Sequence, residues 1–247
     1  MIRFIFGGSF LVLFLVVGSP LLLIELLVGK INKRAKDISS LRIVQWGFRV
    51  ILWFSGAKVT TIGLEKVPKD QPVLYVANHR SYFDILLINV RNHDLTGFVA
   101  KKEMDKFPIL NIWMRYIYCL FLDRDNIREG LKTILQAIEN VKNGISMVIF
   151  PEGTRNKADN DLDMLPFHDA SFKIAQRSGC AIVPIAINNS SDIFENHIPK
   201  LKPVKVVMEY CDPIILSELP KEDQKHIGAY TQNIILEKLK KNQELVK

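Results

Sequence analysis

The chain of 247 residues is 48% hydrophobic and carries a formal net charge of +7, enough apolar material for one large domain plus an anchor. The charge is lopsided: residues 1–58 hold eight Lys/Arg against Glu25 and Asp37, whereas residues 59–247 hold 25 basic and 24 acidic side chains. A nearly neutral body behind a basic amino terminus argues against a nucleic-acid binder and for contact with a membrane surface.

Residues 4–24 form a run of 21 positions without a charge, matching the ~20 apolar residues that a spanning helix needs. Glu25 and then "KINKRAK" follow, and this Lys/Arg-rich flank is expected to face the cytoplasm. A secretory signal peptide would be shorter and end in a small-residue cleavage site, which is not seen. Residues 41–59 are apolar but carry Arg42 and Arg49, and Trp46 and Trp53 share a helical face. That pattern suits an interfacial or embedded helix, with an ordinary core helix as the alternative. The expected organisation is an N-terminal membrane-associated helical segment over 1–60 and an α/β domain over 61–247.

In the body, β-branched runs alternate with helical periodicity. Strands are expected over 73–77, 97–100, 117–122, 147–150, 182–187 and 204–210, and helices over 83–91, 106–115, 126–142, 170–178 and 221–240. The alternation predicts an α/β fold, a mixed sheet covered by helices. The polar stretch 156–163 reads as a mobile loop. Cys119, Cys180 and Cys211 have no ligand-like spacing, so neither a zinc site nor a disulfide framework is expected, and the thiols should be reduced in a cytosol-facing domain.

Four stretches carry polar chemistry at the ends of apolar strands. In "NHRSYFD", His79 and Asp84 are five apart, so a carboxylate at the start of a helix could orient an imidazole at the end of a strand and leave the other ring nitrogen as a base. The spacing fits a turn-capping histidine equally well. In "VIFPEGTRN", Pro151 ends the strand, Gly153 permits close backbone approach, and Arg155 offers a planar fork for phosphate or carboxylate. Arg124 in "FLDRD" and Lys101 in "AKKE" are cations that an ordinary surface would also display. In an open α/β sheet, ligands sit beyond the carboxyl ends of the strands. His79 and Asp84, Lys101, Arg124 and Glu152–Arg155 would share that edge. Cations there suit a phosphorylated substrate and the base suits a hydroxyl. No motif places a serine or cysteine as nucleophile.

These residues resemble a known family. "NHRSYFD" is similar to the NHxxxxD motif of the glycerolipid acyltransferases, and "FPEGTRN" to their FPEGTRS-like motif. "FLDR", "VPIAI", "AKKE" and "PFHDASFKIA" follow the family's order and spacing. The similarity covers about residues 63–213 and fits best the 1-acylglycerol-3-phosphate acyltransferase type. It implies that His79 deprotonates the acceptor hydroxyl and Asp84 orients it. Arg124 and Arg155, with Lys101, would hold a phosphate, Glu152 and Gly153 would position the glycerol, and Thr154 would belong to the same substrate-binding set. The implied substrates are lysophosphatidic acid and an acyl thioester of coenzyme A or acyl carrier protein, joined to give phosphatidic acid. The resemblance implies no metal and no cofactor, and a membrane-bound enzyme whose active domain faces the cytoplasm. Acylation of another lysophospholipid, a membrane-tethered lipid-binding protein and a hydrolase are the alternatives. Two positions depart from the family: Tyr118 stands where its block usually has Gly, which is expected to reshape a substrate pocket, and Ala170 replaces another frequent Gly.

Overall fold

A computed structural model describes residues 1–246. Three helices lead: α1 (Ile2–Val17), α2 (Ser19–Ile31) and α3 (Lys33–Ser55). Seven strands follow: β1 (Lys58–Ile62), β2 (Leu74–Ala77), β3 (Thr96–Lys101), β4 (Leu120–Leu122), β5 (Ser146–Ile149), β6 (Ile182–Asn188) and β7 (Lys205–Tyr210). The helices between and after them are α4 (Phe83–Asn89), α5 (Leu110–Tyr116), α6 (Ile127–Lys142), α7 (Lys173–Ser178), α8 (Lys221–Lys225) and α9 (Ile227–Val246).

The sheet order is β1-β7-β6-β2-β5-β3-β4. Every pairing is parallel except β6 with β7, so the sheet is mixed, as expected. Alternation along the strands feeds two cores. Tyr75, Ala77 and Val148 pack with α3, α4 and α5 on one face. Leu74, Val76, Met147 and Ile149 pack with α6, α7 and α9 on the other.

The uncharged run expected as one helix over 4–24 is two helices. Gly18 ends α1, and Pro20 sits in the first turn of α2, where its missing N–H costs nothing. The axes bend by 46° there. Among the described residues no single helix is long and apolar enough to cross a membrane, but the bent pair together has the length and composition. Its outer surface displays Ile5, Phe6, Val12, Val17, Leu23 and Leu27. α3 begins earlier than the apolar segment read from sequence, because Asn32 caps it by accepting the Ala35 N–H at 3.0 Å. Trp46 and Trp53 are 55% and 74% exposed on α3, beside α1, where Trp46 meets Phe10 edge-on. The strand β1 follows α3 immediately and straddles the boundary drawn at residue 60.

Other boundaries moved for local reasons. The strand expected over 117–122 starts only at Leu120, because Tyr118 adopts a left-handed φ of 61° and turns the chain. The helix expected over 106–115 begins at Leu110, after Pro108 and a left-handed Ile109. The expected helix over 221–240 divides at His226 into α8 and α9.

Position 118 thus demands a left-handed backbone, and the consequence expected for Tyr118 changes. Its side chain turns to α3: the hydroxyl donates to the Asp37 carboxylate and accepts from Lys33 Nζ at 2.6 Å. The residue bears about 1–2 kcal/mol of left-handed strain and returns a tether between the amino-terminal helices and the body. Tyr118→Phe keeps the strain and removes the tether. It should destabilise the fold by about 1.5 kcal/mol, the low end for bonds to charged groups because this one is partly exposed, measurable by chemical denaturation.

Candidate active site

The site is built where β2 and β5 end side by side. Asn78 extends the sheet beyond β2: its amide accepts from the Ile187 N–H and donates to the Ile187 carbonyl, both at 2.9 Å. His79 follows with its backbone fixed twice. Its N–H donates to Glu152 Oε1 at 2.8 Å and its carbonyl accepts from the Asn156 N–H at 2.7 Å. The ring stacks on Phe150 with centroids 4.0 Å apart.

His79 Nδ1 lies 2.9 Å from Asp84 Oδ2. The same oxygen accepts the backbone N–H groups of Arg80 and Ser81, each at 2.8 Å. A fully buried carboxylate therefore closes the turn and faces one imidazole nitrogen. This assigns the proton of the neutral ring to Nδ1 and leaves the Nε2 lone pair as a base. The spacing that sequence left between a base and a cap gives a geometry compatible with both: Asp84 closes the turn and leaves Nε2 free.

Glu152 departs from its expected role. It is 3% exposed, and its second oxygen accepts the Leu165 N–H at 3.0 Å. Both oxygens are thus spent on backbone, and Glu152 positions His79 rather than a substrate glycerol. Burial pushes its carboxyl above the usual range despite those N–H groups. A raised folded-state pKa contributes stability that is present below the unfolded value of ~4.3 and declines as pH rises through the raised one. Glu152→Gln should abolish that decline. It should also cost about 1–3 kcal/mol, because one backbone N–H would face an amide donor. Urea unfolding of both proteins from acid to neutral pH reads both effects.

Gly153 has a φ of 74°, and a Cβ there would lie 3.3 Å from the His168 ring, so the position favours glycine. Thr154 is exposed. Arg155 points back over the His79 turn: its guanidinium stacks 3.6 Å above the Tyr82 ring, donates to the Tyr82 hydroxyl at 2.9 Å, and pairs with Glu195 at 3.3 Å.

Lys101 and Arg124 are not drawn in. β3 and β4 lie two and three strands from β2, which at strand spacing is ~10 and ~14 Å. Lys101 pairs with Glu103 at 3.0 Å, and Arg124 is exposed. Following a strand fixes the edge but not the distance along it. The stretch 156–163, read as mobile, is pinned. The buried Arg80 donates to the carbonyls of Ala158 and Asn160 and pairs with Asp161 at 3.0 Å. Arg80 and Tyr82 lie inside the His79–Asp84 motif, where nothing in the sequence signals their roles. Glu195 carries no sequence signal at all, since it reaches Ser81 from 114 residues away.

Burial raises the thiols of Cys119 and Cys211 to about 12, so neither is a nucleophile. Among the described residues no cluster of three or more His, Cys, Asp or Glu is placed to hold a metal ion. The arrangement is a histidine base oriented by a carboxylate, with one arginine close by, and it can activate a hydroxyl brought by a substrate.

The match to the protein family described as "Acyltransferase" spans residues 58–188. A 1-acyl-sn-glycerol-3-phosphate acyltransferase of Borreliella burgdorferi is 29% identical over 77% of this chain and 75% of its own length. One of Haemophilus influenzae is 27% identical over 82% of both. The crystal structure of the 1-acyl-sn-glycerophosphate acyltransferase PlsC from Thermotoga maritima superposes with a TM-score of 0.82 at 23% identity, over 97% of this chain and 94% of that one.

Proposed function

Because the chain belongs to the acyltransferase family, we propose that it transfers an acyl chain to the free sn-2 hydroxyl of 1-acyl-sn-glycerol-3-phosphate, giving phosphatidic acid. The observation that carries this reading is the His79–Asp84 pair with Arg155, from the loop after β5, stacked over its turn. The names of the relatives supply the acceptor.

His79 Nε2 takes the hydroxyl proton as the oxygen attacks the thioester carbonyl. The C–O bond forms, and the tetrahedral intermediate collapses by breaking the C–S bond. The departing thiolate of coenzyme A or acyl carrier protein takes the proton back from the imidazolium. Asp84 holds the ring and stabilises its cation. Arg155 binds the phosphate, and the Gly153 backbone admits the glycerol. Thr154, Lys101 and Arg124, exposed along the same edge, act on the approach of the anionic headgroup. No cofactor enters the reaction. The bent pair α1–α2, with Trp46 and Trp53 beside it, docks in the bilayer where acceptor and product reside, and the basic residues 30–36 hold the catalytic domain at the cytoplasmic face.

The test is an acceptor and donor panel. The protein in phospholipid bilayers is offered lysophosphatidic acid, lysophosphatidylcholine or lysophosphatidylethanolamine with labelled acyl-coenzyme A or acyl carrier protein thioester. A clear preference for lysophosphatidic acid supports the reading. Label entering only another lipid keeps the chemistry and replaces the acceptor.

A further inference from the structure

Glu195 lies outside the part of the chain that matches the family, on the connection from β6 to β7, yet its carboxylate sits in the middle of the site. One oxygen accepts the Ser81 hydroxyl at 2.6 Å. The other accepts the Tyr82 N–H at 2.7 Å and meets Arg155 Nη1 at 3.3 Å. A hydroxyl, a backbone N–H and a guanidinium converging on one anion is the donor set that a phosphate takes. Here the anion is the protein's own.

We infer that Glu195 is an internal stand-in for the acceptor's phosphate: it fills an anion site made by Arg155, the Tyr82 N–H and the Ser81 hydroxyl, and it yields Arg155 when the phosphate arrives. The proposal rests on the acyltransferase reading for the identity of that phosphate. Two observations and one electrostatic argument support exchange over a permanent pair. The contact to Arg155 is the longest of the three that Glu195 makes. Both side chains are partly open to solvent, 29% for Arg155 and 14% for Glu195. A phosphate brings three terminal oxygens against two, and a carboxylate left in contact with it would repel it. The carboxylate thereby keeps the site closed to weak anions and sets the affinity for the acceptor.

Glu195→Gln isolates the charge. Its amide oxygen still accepts from Tyr82 and its NH₂ can donate to the Ser81 oxygen, so the turn is kept. Inorganic phosphate, titrated by calorimetry, should bind this variant about fivefold or more tighter than it binds the wild type. The KM for lysophosphatidic acid should fall by a similar factor, with kcat within about twofold. Adding Arg155→Ala should erase the gain. Glu195→Asp, which keeps the charge, should show none. Unchanged or weaker phosphate binding by Glu195→Gln, a raised KM, or a gain that survives without Arg155 would overturn the proposal and make Glu195 a structural clamp. Failure of the Glu195→Gln protein to fold would overturn it in the same way. The titration needs no turnover. Tighter phosphate binding without acyl transfer by the wild type would therefore sink the functional reading alone, and normal transfer without tighter binding would sink this one alone.

Discussion

His79→Ala is expected to lower kcat by ~10²–10⁴, the usual contribution of a positioned general base, while the protein stays folded. The His79 ring contributes a stacking contact with Phe150 and one bond to Asp84. Its removal leaves Asp84 Oδ2 still satisfied by two backbone N–H groups. The cost in stability should stay within about 2 kcal/mol, and the KM for the acceptor should hardly move, because Arg155 is held by Tyr82 and Glu195 rather than by the ring. A kcat within a fewfold of wild type would show that another group takes the proton.

Asp84→Ala should be the more damaging change, because it removes both the base's orienter and the closure of its turn. The activity loss should approach that of His79→Ala, since a ring free to rotate presents its base in the wrong direction. Stability should also fall. The N–H groups of Arg80 and Ser81 lose their acceptor, and both residues are buried. At about 1–3 kcal/mol for each unsatisfied group the sum is about 2–6 kcal/mol. The contrast is diagnostic: two variants of similar inactivity, one near wild-type stability and one far below it. Thermal unfolding of both beside their rates reads it.

The sequence makes legible what is local. His79 ends a strand, Asp84 opens the next helix, and five residues bring them together; Gly153 and Arg155 follow the next relevant strand in the same way. The alternating runs identify the α/β sheet because buried parallel strands are apolar on both faces. What sequence hides is sideways order. β2 and β5 are neighbours although two other strands separate them in the chain, and this alone unites His79 with Glu152 and leaves Lys101 and Arg124 apart. Glu152 misleads for a related reason: a carboxylate inside a ligand-like motif resembles a ligand until its backbone partners at His79 and Leu165 are in place. Tyr118 misleads because a left-handed turn is invisible when its residue is not Gly. The bend at Gly18 is foreshadowed by Pro20 within an otherwise uniform apolar run.

In the proposed mechanism His79 takes a proton from a lysophosphatidic acid hydroxyl during acyl transfer. The direct measurement is the initial rate at which labelled acyl chains from acyl-coenzyme A or acyl carrier protein enter phosphatidic acid, for wild type and His79→Ala in the same bilayers. Steady labelling is expected from the wild type, and at least a hundredfold less from a folded His79→Ala protein. Equal labelling by both, or none by the wild type with either donor, would contradict the mechanism.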